Sequence, residues 1–569
     1  MLFSKLSNFL EELEKTSSRL EITEILAKLF TISSPDEIAK ISYLSLGILA
    51  PNYKGIVFNA ADQMIIRAIA KAYNTDINKV KSLYKQKGDL GLVSFELSKN
   101  KNTKLSVSDV YQKLLVTANE NGEGSQERRV EKLSDLLKSL DNSSAKFVTR
   151  IPLGKLRLGF SEKTVMDALS QMEAGDKSGK KELEAAYNIN PDIGLLAKLI
   201  KERGIKNLSK IVKPEIGVPV VPMLAQRLKS TEEMVKKMGE VSVEPKYDGL
   251  RIFIHFKKPD FVRIFTRNMN FIDESIFPEL KNLGKYIKAN IVILDTEAVG
   301  VNLDEEKILD FQATMQRRRK HEVEANAAKT PLQFQVFDIL LCDGESQIDK
   351  PYIKRREILE KVIINSPLLK VDEHTITKDP KVVEELYRKY IKEGYEGVVV
   401  KKTTGLYVSG RTGWNWVKMK QETGAEGKLS DTVDCVVMGY TVGKGKRIGF
   451  GVGQFLVGIM DGDSIKTVTK VGTGLTDDQF RELKTRLEKL KVDEKPKEYQ
   501  VSKILEPDFW VTPKLVVEIA ADDITKSPNH TAGYALRFPR LVKFRDDKAV
   551  KDATTVKEVE KMYKLQKSS

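Results

Sequence analysis

Apolar residues recur at helical spacing through the first part of the chain. Phe3, Leu6, Phe9 or Leu10, and Leu13 share one face, with charged residues between them. The same period runs through DQMIIRAIAKAYN, RRVEKLSDLLKSL and SEKTVMDALSQME. In the last of these, Ser161 ahead of Glu162 and Thr164 predicts a helix start. A loop reading IPLGKLRLGF spans Ile151 to Phe160. The pattern predicts an all-α module over residues 1–215. Periodicity alone suits a structural or oligomerisation domain as well as a binding one.

At KPEIGVPVVPML the texture changes. Pro214, Pro219 and Pro222 with Gly217 break the helical period and mark a linker or domain entry. Short β-branched and aromatic runs follow: RIFIHF, FVRIFT, NIVILDTEAVG, LQFQVFDILL and EGVVVKK. Helical stretches such as DPKVVEELYRKYIKEG alternate with them, which predicts an α+β domain over residues 216–427. From Lys428 the chain reads as strands split by glycines, with one helix, DDQFRELKTRLEKL. That pattern predicts a small β-barrel of the oligonucleotide-binding (OB-fold) kind over residues 428–569, closed by a C-terminal helix.

Charge narrows the choice of partner. The chain carries 95 Lys and Arg against 80 Asp and Glu, a net charge of +15. Such a surplus suits nucleic acid, since each neutralised phosphate releases a counterion, although the interspersed acids also fit a charge-rich surface of the thermophile kind. Two cysteines, Cys342 and Cys435, make neither a disulfide framework nor a four-cysteine zinc site. His255, His321, His374 and His530 are scattered without metal-ligand spacing. Apolar runs such as Ile291 to Leu294 are too short to span a bilayer, and MLFSKLSNFLEELEK lacks a signal-peptide pattern. A cytoplasmic protein without membrane contact is expected.

The candidate chemistry centres on VEPKYDGLR, Val243 to Arg251. Lys-x-Asp-Gly arises by chance in about one chain in fifteen of this length, so alone it leaves Lys246 either a surface lysine or a nucleophile. The surroundings add polar residues that the pattern places at the ends of apolar strands, converging on one rim: Asp295 and Glu297 after IVIL, Glu396 ahead of GVVV, and Lys418 and Lys420 alternating with Trp416. A lysine amine attacks phosphorus only when neutral, so nearby cations or desolvation must lower its pKa. Arg251, Lys418 and Lys420 are candidates for that field and for neutralising an α-phosphate. Glu297 and Glu396 suit magnesium, and Phe337 offers a face for a purine. Arg317 to Lys320, RRRK, reads as a solvated helical face or a DNA contact.

KYDGLR, TRNMNF, LDTEAVG, FQVFDIL, EGVVVK, WVKMK and LRFPRLVKFRDDK stand in the order and near the spacing of one family. On these motifs the chain resembles the ATP-dependent DNA ligases, most closely the archaeal type, over nearly its whole length. The resemblance implies a helical minor-groove-binding domain, an ATP-grasp-like nucleotidyltransferase (adenylation) domain and an OB-fold entered through LSDTVD. It implies that Lys246 becomes adenylylated, that Glu244 meets the adenine edge, and that Phe337 stacks on the ring. Glu297 would bond the ribose and with Glu396 support the metal; Arg251 and Arg267 would lie near sugar and phosphate. Lys418 and Lys420 would hold the α-phosphate, joined by Arg411, although Thr412 stands where the family usually has that arginine. Arg537, Arg540, Arg545, Asp547 and Lys548 would orient pyrophosphate, and GKGKR, Gly443 to Arg447, would meet DNA phosphates.

The implied cofactors are ATP and Mg²⁺, with Mn²⁺ an alternative, and the implied partner is nicked double-stranded DNA, sealed by a monomer in replication, repair and recombination. A sliding clamp is a candidate partner, though no Gln-x-x-aliphatic-x-x-aromatic-aromatic stretch marks its contact. The rivals are an RNA ligase or capping enzyme, disfavoured by the helical region, and an NAD⁺-dependent ligase, disfavoured by the missing zinc module. A non-catalytic DNA clamp is disfavoured by the intact Lys246, Glu297, Glu396, Lys418 and Lys420.

Overall fold

The computed structural model describes residues 1–569 except 59, 101–102, 155, 229, 303–306, 310–313, 315–316, 318–322, 324–326, 328, 411–412, 421–431, 443–450, 473–474 and 569. Two compact units result, Met1–Lys420 and Gln421–Ser569. No helix among the described residues is long and apolar enough to cross a membrane.

The first part of the larger unit is helical, from Phe3–Lys15 to Leu208–Ile211. Leu6, Leu10 and Leu13 are fully buried, as their spacing requires. The helix Glu162–Ala174 starts after Ser161 as expected, but the Ser161 side chain makes no capping bond. Asp89 caps the helix Leu90–Leu97 by accepting from the Gly91 N–H at 2.7 Å. The same carboxylate takes the buried Arg150 guanidinium at 2.6 Å, and Glu14 takes another Arg150 nitrogen at 2.7 Å. A Cβ at Gly91 would come within 2.8 Å of Arg150, so the glycine in KGDLG makes room for this pair.

The segment after Pro214 is a docked strap rather than a free linker. Val220 and Met223 are buried, and the Val221 N–H bonds to the Asn188 carbonyl at 2.8 Å. The Gly217 N–H bonds to His255 Nδ1 at 3.1 Å, and the Leu224 N–H to the Gly410 carbonyl at 2.7 Å.

Two sheets follow. A five-stranded sheet orders Gln226–Arg227, Trp416–Lys420, Gly397–Lys402, Val241–Lys246 and Thr375–Thr377. The main path of the second sheet runs Leu369–Val371, Leu332–Cys342, Ile291–Asn302, Leu250–Lys257, Phe261–Thr266 and Phe271–Ile272. One face of this second sheet packs an apolar core that includes Ile252, Ile254, Leu294 and Phe334. A further cluster joins Phe253, Phe265 and Leu340 of the second sheet to Trp416 of the first, and Tyr53 of the helical part belongs to it too.

The smaller unit is a largely antiparallel sheet built on Val433–Thr441, Gln454–Asp461, Ser464–Val471, Val516–Ala520 and Arg540–Phe544. Irregularities in register at Val437/Gly439, Val457/Gly458 and Glu518/Ile519 give the strands the local twist that curling needs. The helices Asp477–Leu490 and Val556–Ser568 lie at the expected places. This is the half-barrel of an OB-fold.

Candidate active site

Lys246 ends the strand Val241–Lys246, and the register sets Gly397 beside it, with Lys420 on the far side of Gly397. The three residues form one row across the sheet. Gly397 has φ of 147°, and a Cβ there would lie 2.1 Å from the Met419 carbonyl oxygen, so only glycine lets the strands close. Glu396 is tied to the Lys246 carbonyl through its N–H at 2.9 Å. From there its carboxylate reaches both ammonium groups, one oxygen touching Lys246 Nζ and the other Lys420 Nζ. Lys418 lies two residues before Lys420 on the same face, opposite Val399.

Lys246 is 20% exposed. Burial pushes its ammonium below the ordinary lysine range; Arg251 and Arg267 push the same way, while Glu297 and Asp248 push back. Gly249 lets the turn after Lys246 pass close to the neighbouring strand, since a Cβ there would lie 2.4 Å from the Ala298 carbonyl.

The second sheet supplies the other side of the site. Arg251 stands opposite Glu297, and Phe253 opposite Asp295. Lys246, Glu396 and Lys420 stand at strand ends as expected, but the residues of the second sheet do not. Asp295 and Glu297 lie in mid-strand of Ile291–Asn302, and Phe337 in mid-strand of Leu332–Cys342. Long strands bring acidic groups inward because Arg251 neutralises Asp295, with Nε–Oδ1 at 2.9 Å and Nη2–Oδ2 at 2.6 Å. Burial pushes the Glu297 carboxyl up to about 7, against the opposing pull of Lys246 and Arg251.

Phe337 owes its aim to a bulge. Asp295 pairs with Asp338 and Thr296 with Val336, which leaves Phe337 the extra residue on its strand. Its partly exposed ring meets Trp416 edge-on at 5.9 Å, with the Arg251 and Lys401 cations 5.3 and 4.9 Å from its centroid. Trp416 is buried core.

Glu244, two residues before Lys246, is buried and bonded to Tyr352 Oη and to Lys401 Nζ, the latter at 2.5 Å. Arg267 is exposed in the turn after Phe261–Thr266. Arg411 lies outside the described residues, as do 318–320 of the RRRK run and Gly443 to Arg447. Arg317 is not on a solvated face: it is buried and paired with Glu279.

In the smaller unit, Arg545 spends its guanidinium on Asp434 at 3.0 Å and on Asp547 at 2.9 and 2.7 Å, and Lys548 reaches Asp434 at 2.5 Å. Arg540 pairs with Asp522 at 2.8 Å and remains 42% exposed; Arg537 lies 3.8 Å from Asp523.

Sequence reasoning missed Tyr407, which donates to Asp295 Oδ2 at 2.8 Å and accepts from the Met223 N–H at 3.1 Å. It also gave no role to Tyr352, Lys401 or Asp372 around Glu244. The alternation of EGVVVKK, which turns Lys401 to the same side as Val399, was the one available signal. Among the described residues no cluster of three His, Cys, Asp or Glu side chains is arranged to hold a metal. The carboxylates of Glu297 and Glu396 fit a hard cation that takes its other ligands from phosphate and water.

Three family models match the chain: DNA ligase N terminus over residues 2–170, ATP dependent DNA ligase domain over 222–420, and ATP dependent DNA ligase C terminal region over 449–548. A protein of Dictyoglomus turgidum named "Probable DNA ligase" is 42% identical, across 100% of this chain and 98% of that one. A "DNA ligase" of Saccharolobus solfataricus is 36% identical, with the same coverage of 100% and 98%. The solved structure named Pmar-Lig_Pre shares the fold at 18% identity, with a TM-score of 0.55 over 95% of this chain and 99% of that one.

Proposed function

Because the chain belongs to the ATP-dependent DNA ligase family, we propose that Lys246 is the residue through which it uses ATP to seal nicked duplex DNA. The observation that carries this reading is the partly desolvated Lys246 amine, set in one row with Lys420 and in contact with Glu396. Residues 1–215, 216–427 and 428–569 act as DNA-binding, adenylation and OB-fold modules.

In the first step the neutral Lys246 amine attacks the α-phosphorus of ATP. A nitrogen–phosphorus bond forms, the bond to the bridging oxygen breaks, and pyrophosphate leaves with that electron pair. Glu396, touching Nζ, is within reach of the proton the amine gives up. Lys418 and Lys420 neutralise the α-phosphate as charge builds on its oxygens. Phe337 stacks on the purine, Glu244 reads its edge, and Glu297 bonds the ribose, with Arg251 and Arg267 near sugar and phosphate. Arg537, Arg540 and Lys548 orient the leaving pyrophosphate, and Arg545 and Asp547 brace them. Glu297 and Glu396 would hold Mg²⁺, or Mn²⁺, which when bound neutralises phosphate charge.

In the second step the 5′-phosphate of the nick displaces Lys246 from AMP. In the third the 3′-hydroxyl attacks that phosphate, AMP departs, and the strand is continuous. The test is conversion of a nicked duplex, labelled at the 5′-phosphate of the nick, into a full-length strand with ATP and Mg²⁺. Joining of nicked duplex is expected; joining of RNA ends alone would assign a different substrate.

A further inference from the structure

Glu244 is 1% exposed and both of its carboxylate oxygens are engaged. Tyr352 Oη donates to Oε1, and Lys401 Nζ approaches Oε2 at 2.5 Å. Neither partner has room to move away. Tyr352 opens the helix Tyr352–Val362, is 1% exposed, and is pinned by its N–H to the Gly405 carbonyl at 2.8 Å. Lys401 donates to the Phe337 carbonyl at 2.8 Å and sits among the rings of Phe337, Tyr352 and Trp416, 4.9, 4.9 and 4.7 Å from their centroids. The residue that fixes the Glu244 carboxylate is therefore also fastened to the backbone of the bulged Phe337.

A second carboxyl stands behind the first. Asp372 is buried beside Glu244 and gripped by Arg356 Nη1 at 2.6 Å. Burial, with the Glu244 carboxylate nearby, pushes the Asp372 carboxyl well above the usual carboxylate range.

We propose that Tyr352 and Lys401 are positioning residues for nucleotide choice, locking Glu244 as an oriented acceptor that takes a purine with an amino group at C6 and repels one with a carbonyl there. The inference rests on reading Glu244 as the base-edge residue. An amino group donates to the fixed carboxylate, whereas a carbonyl sets lone pair against lone pair at a buried site that cannot rotate away. A carboxylate free to turn would lose most of that discrimination.

The experiment compares ATP with inosine triphosphate, which replaces the C6 amino group by a carbonyl. Each is labelled at the α-phosphate, and kcat/KM is measured for label transfer onto the full-length protein. The unaltered chain is expected to favour ATP. Tyr352→Phe, which removes only the hydroxyl, should narrow the ATP-over-inosine ratio at least tenfold, chiefly through KM, with thermal unfolding checking that the fold is kept. Lys401→Met is read the same way, so misfolding of one variant does not remove the test. If Glu244→Gln narrows the ratio while the folded Tyr352→Phe and Lys401→Met variants leave it unchanged, the positioning role is overturned and the base-edge reading stands. If Glu244→Gln leaves the ratio unchanged, the base-edge reading falls and the inference falls with it.

Discussion

Arg251 and Asp295 face each other fork to fork, with Nε–Oδ1 at 2.9 Å and Nη2–Oδ2 at 2.6 Å, and Asp295 is wholly buried. Removing one member of such a pair leaves an uncompensated charge among Phe253, Phe337 and Trp416. Asp295→Ala should therefore destabilise the larger unit by about 3–5 kcal/mol. Tryptophan fluorescence during urea unfolding reads this change, since Trp414 and Trp416 lie in the larger unit and Trp510 in the smaller. A variant unfolding at the unaltered midpoint would show that the pair is not holding the sheet.

Gly397 permits the row of Lys246 and Lys420, because a Cβ there would lie 2.1 Å from the Met419 carbonyl. Gly397→Ala must push these strands apart or distort the backbone, at a cost of about 1–3 kcal/mol. Label transfer to the protein should fall at least tenfold, with a lower thermal midpoint. Near-normal transfer would mean that the row tolerates displacement.

His255 titrates far from its ordinary range. Burial pushes the imidazole down to about 3, whereas in the unfolded chain it protonates near 6.5. Between these values the unfolded chain binds the extra proton, so stability falls as pH drops below 6.5 and is unaffected by this group above it. The slope is up to about 1.4 kcal/mol per pH unit. His255→Phe should lose stability at neutral pH, because the Gly217 N–H loses its acceptor, yet show a shallower decline from pH 7 to pH 4.5. Parallel thermal-midpoint curves for the two proteins would contradict this.

The basic residues of the smaller unit divide by their contacts. Arg545 is held by Asp434 and Asp547, whereas Arg540 pairs with Asp522 and is half-buried. Arg540→Ala or Lys548→Ala should slow adenylylation more than sealing of a pre-adenylylated nick. Arg545→Ala should in addition lower the thermal stability of the smaller unit, read through Trp510. Equal damage to both steps by Arg540→Ala would refute its orienting role.

The strands Leu250–Lys257, Ile291–Asn302 and Leu332–Cys342 were legible because they are largely buried on both faces and written in β-branched and aromatic runs. Their lengths were not. Asp295 and Glu297 look like residues that end a strand, and only the Arg251 pairing, 44 positions away, explains why the strand continues through them. The bulge at Phe337 has no glycine or proline to announce it. Arg317 reads as surface charge because its partner, Glu279, lies in a distant segment. The cage around Glu244 gathers Tyr352, Asp372 and Lys401 from separate elements, and no local pattern records such a meeting. Lys246, Glu396 and Lys420 were legible because each sits beside a strand whose alternation fixes its side.

The most direct measurement incubates the full chain and Lys246→Ala with ATP labelled at the α-phosphate and Mg²⁺, followed by a denaturing gel and a chase with nicked duplex. Label is expected to stay on the unaltered protein, to be discharged by the nicked duplex as a joined strand forms, and to be absent from Lys246→Ala. Label retained by a folded Lys246→Ala would contradict the assignment of Lys246 as the residue that carries AMP.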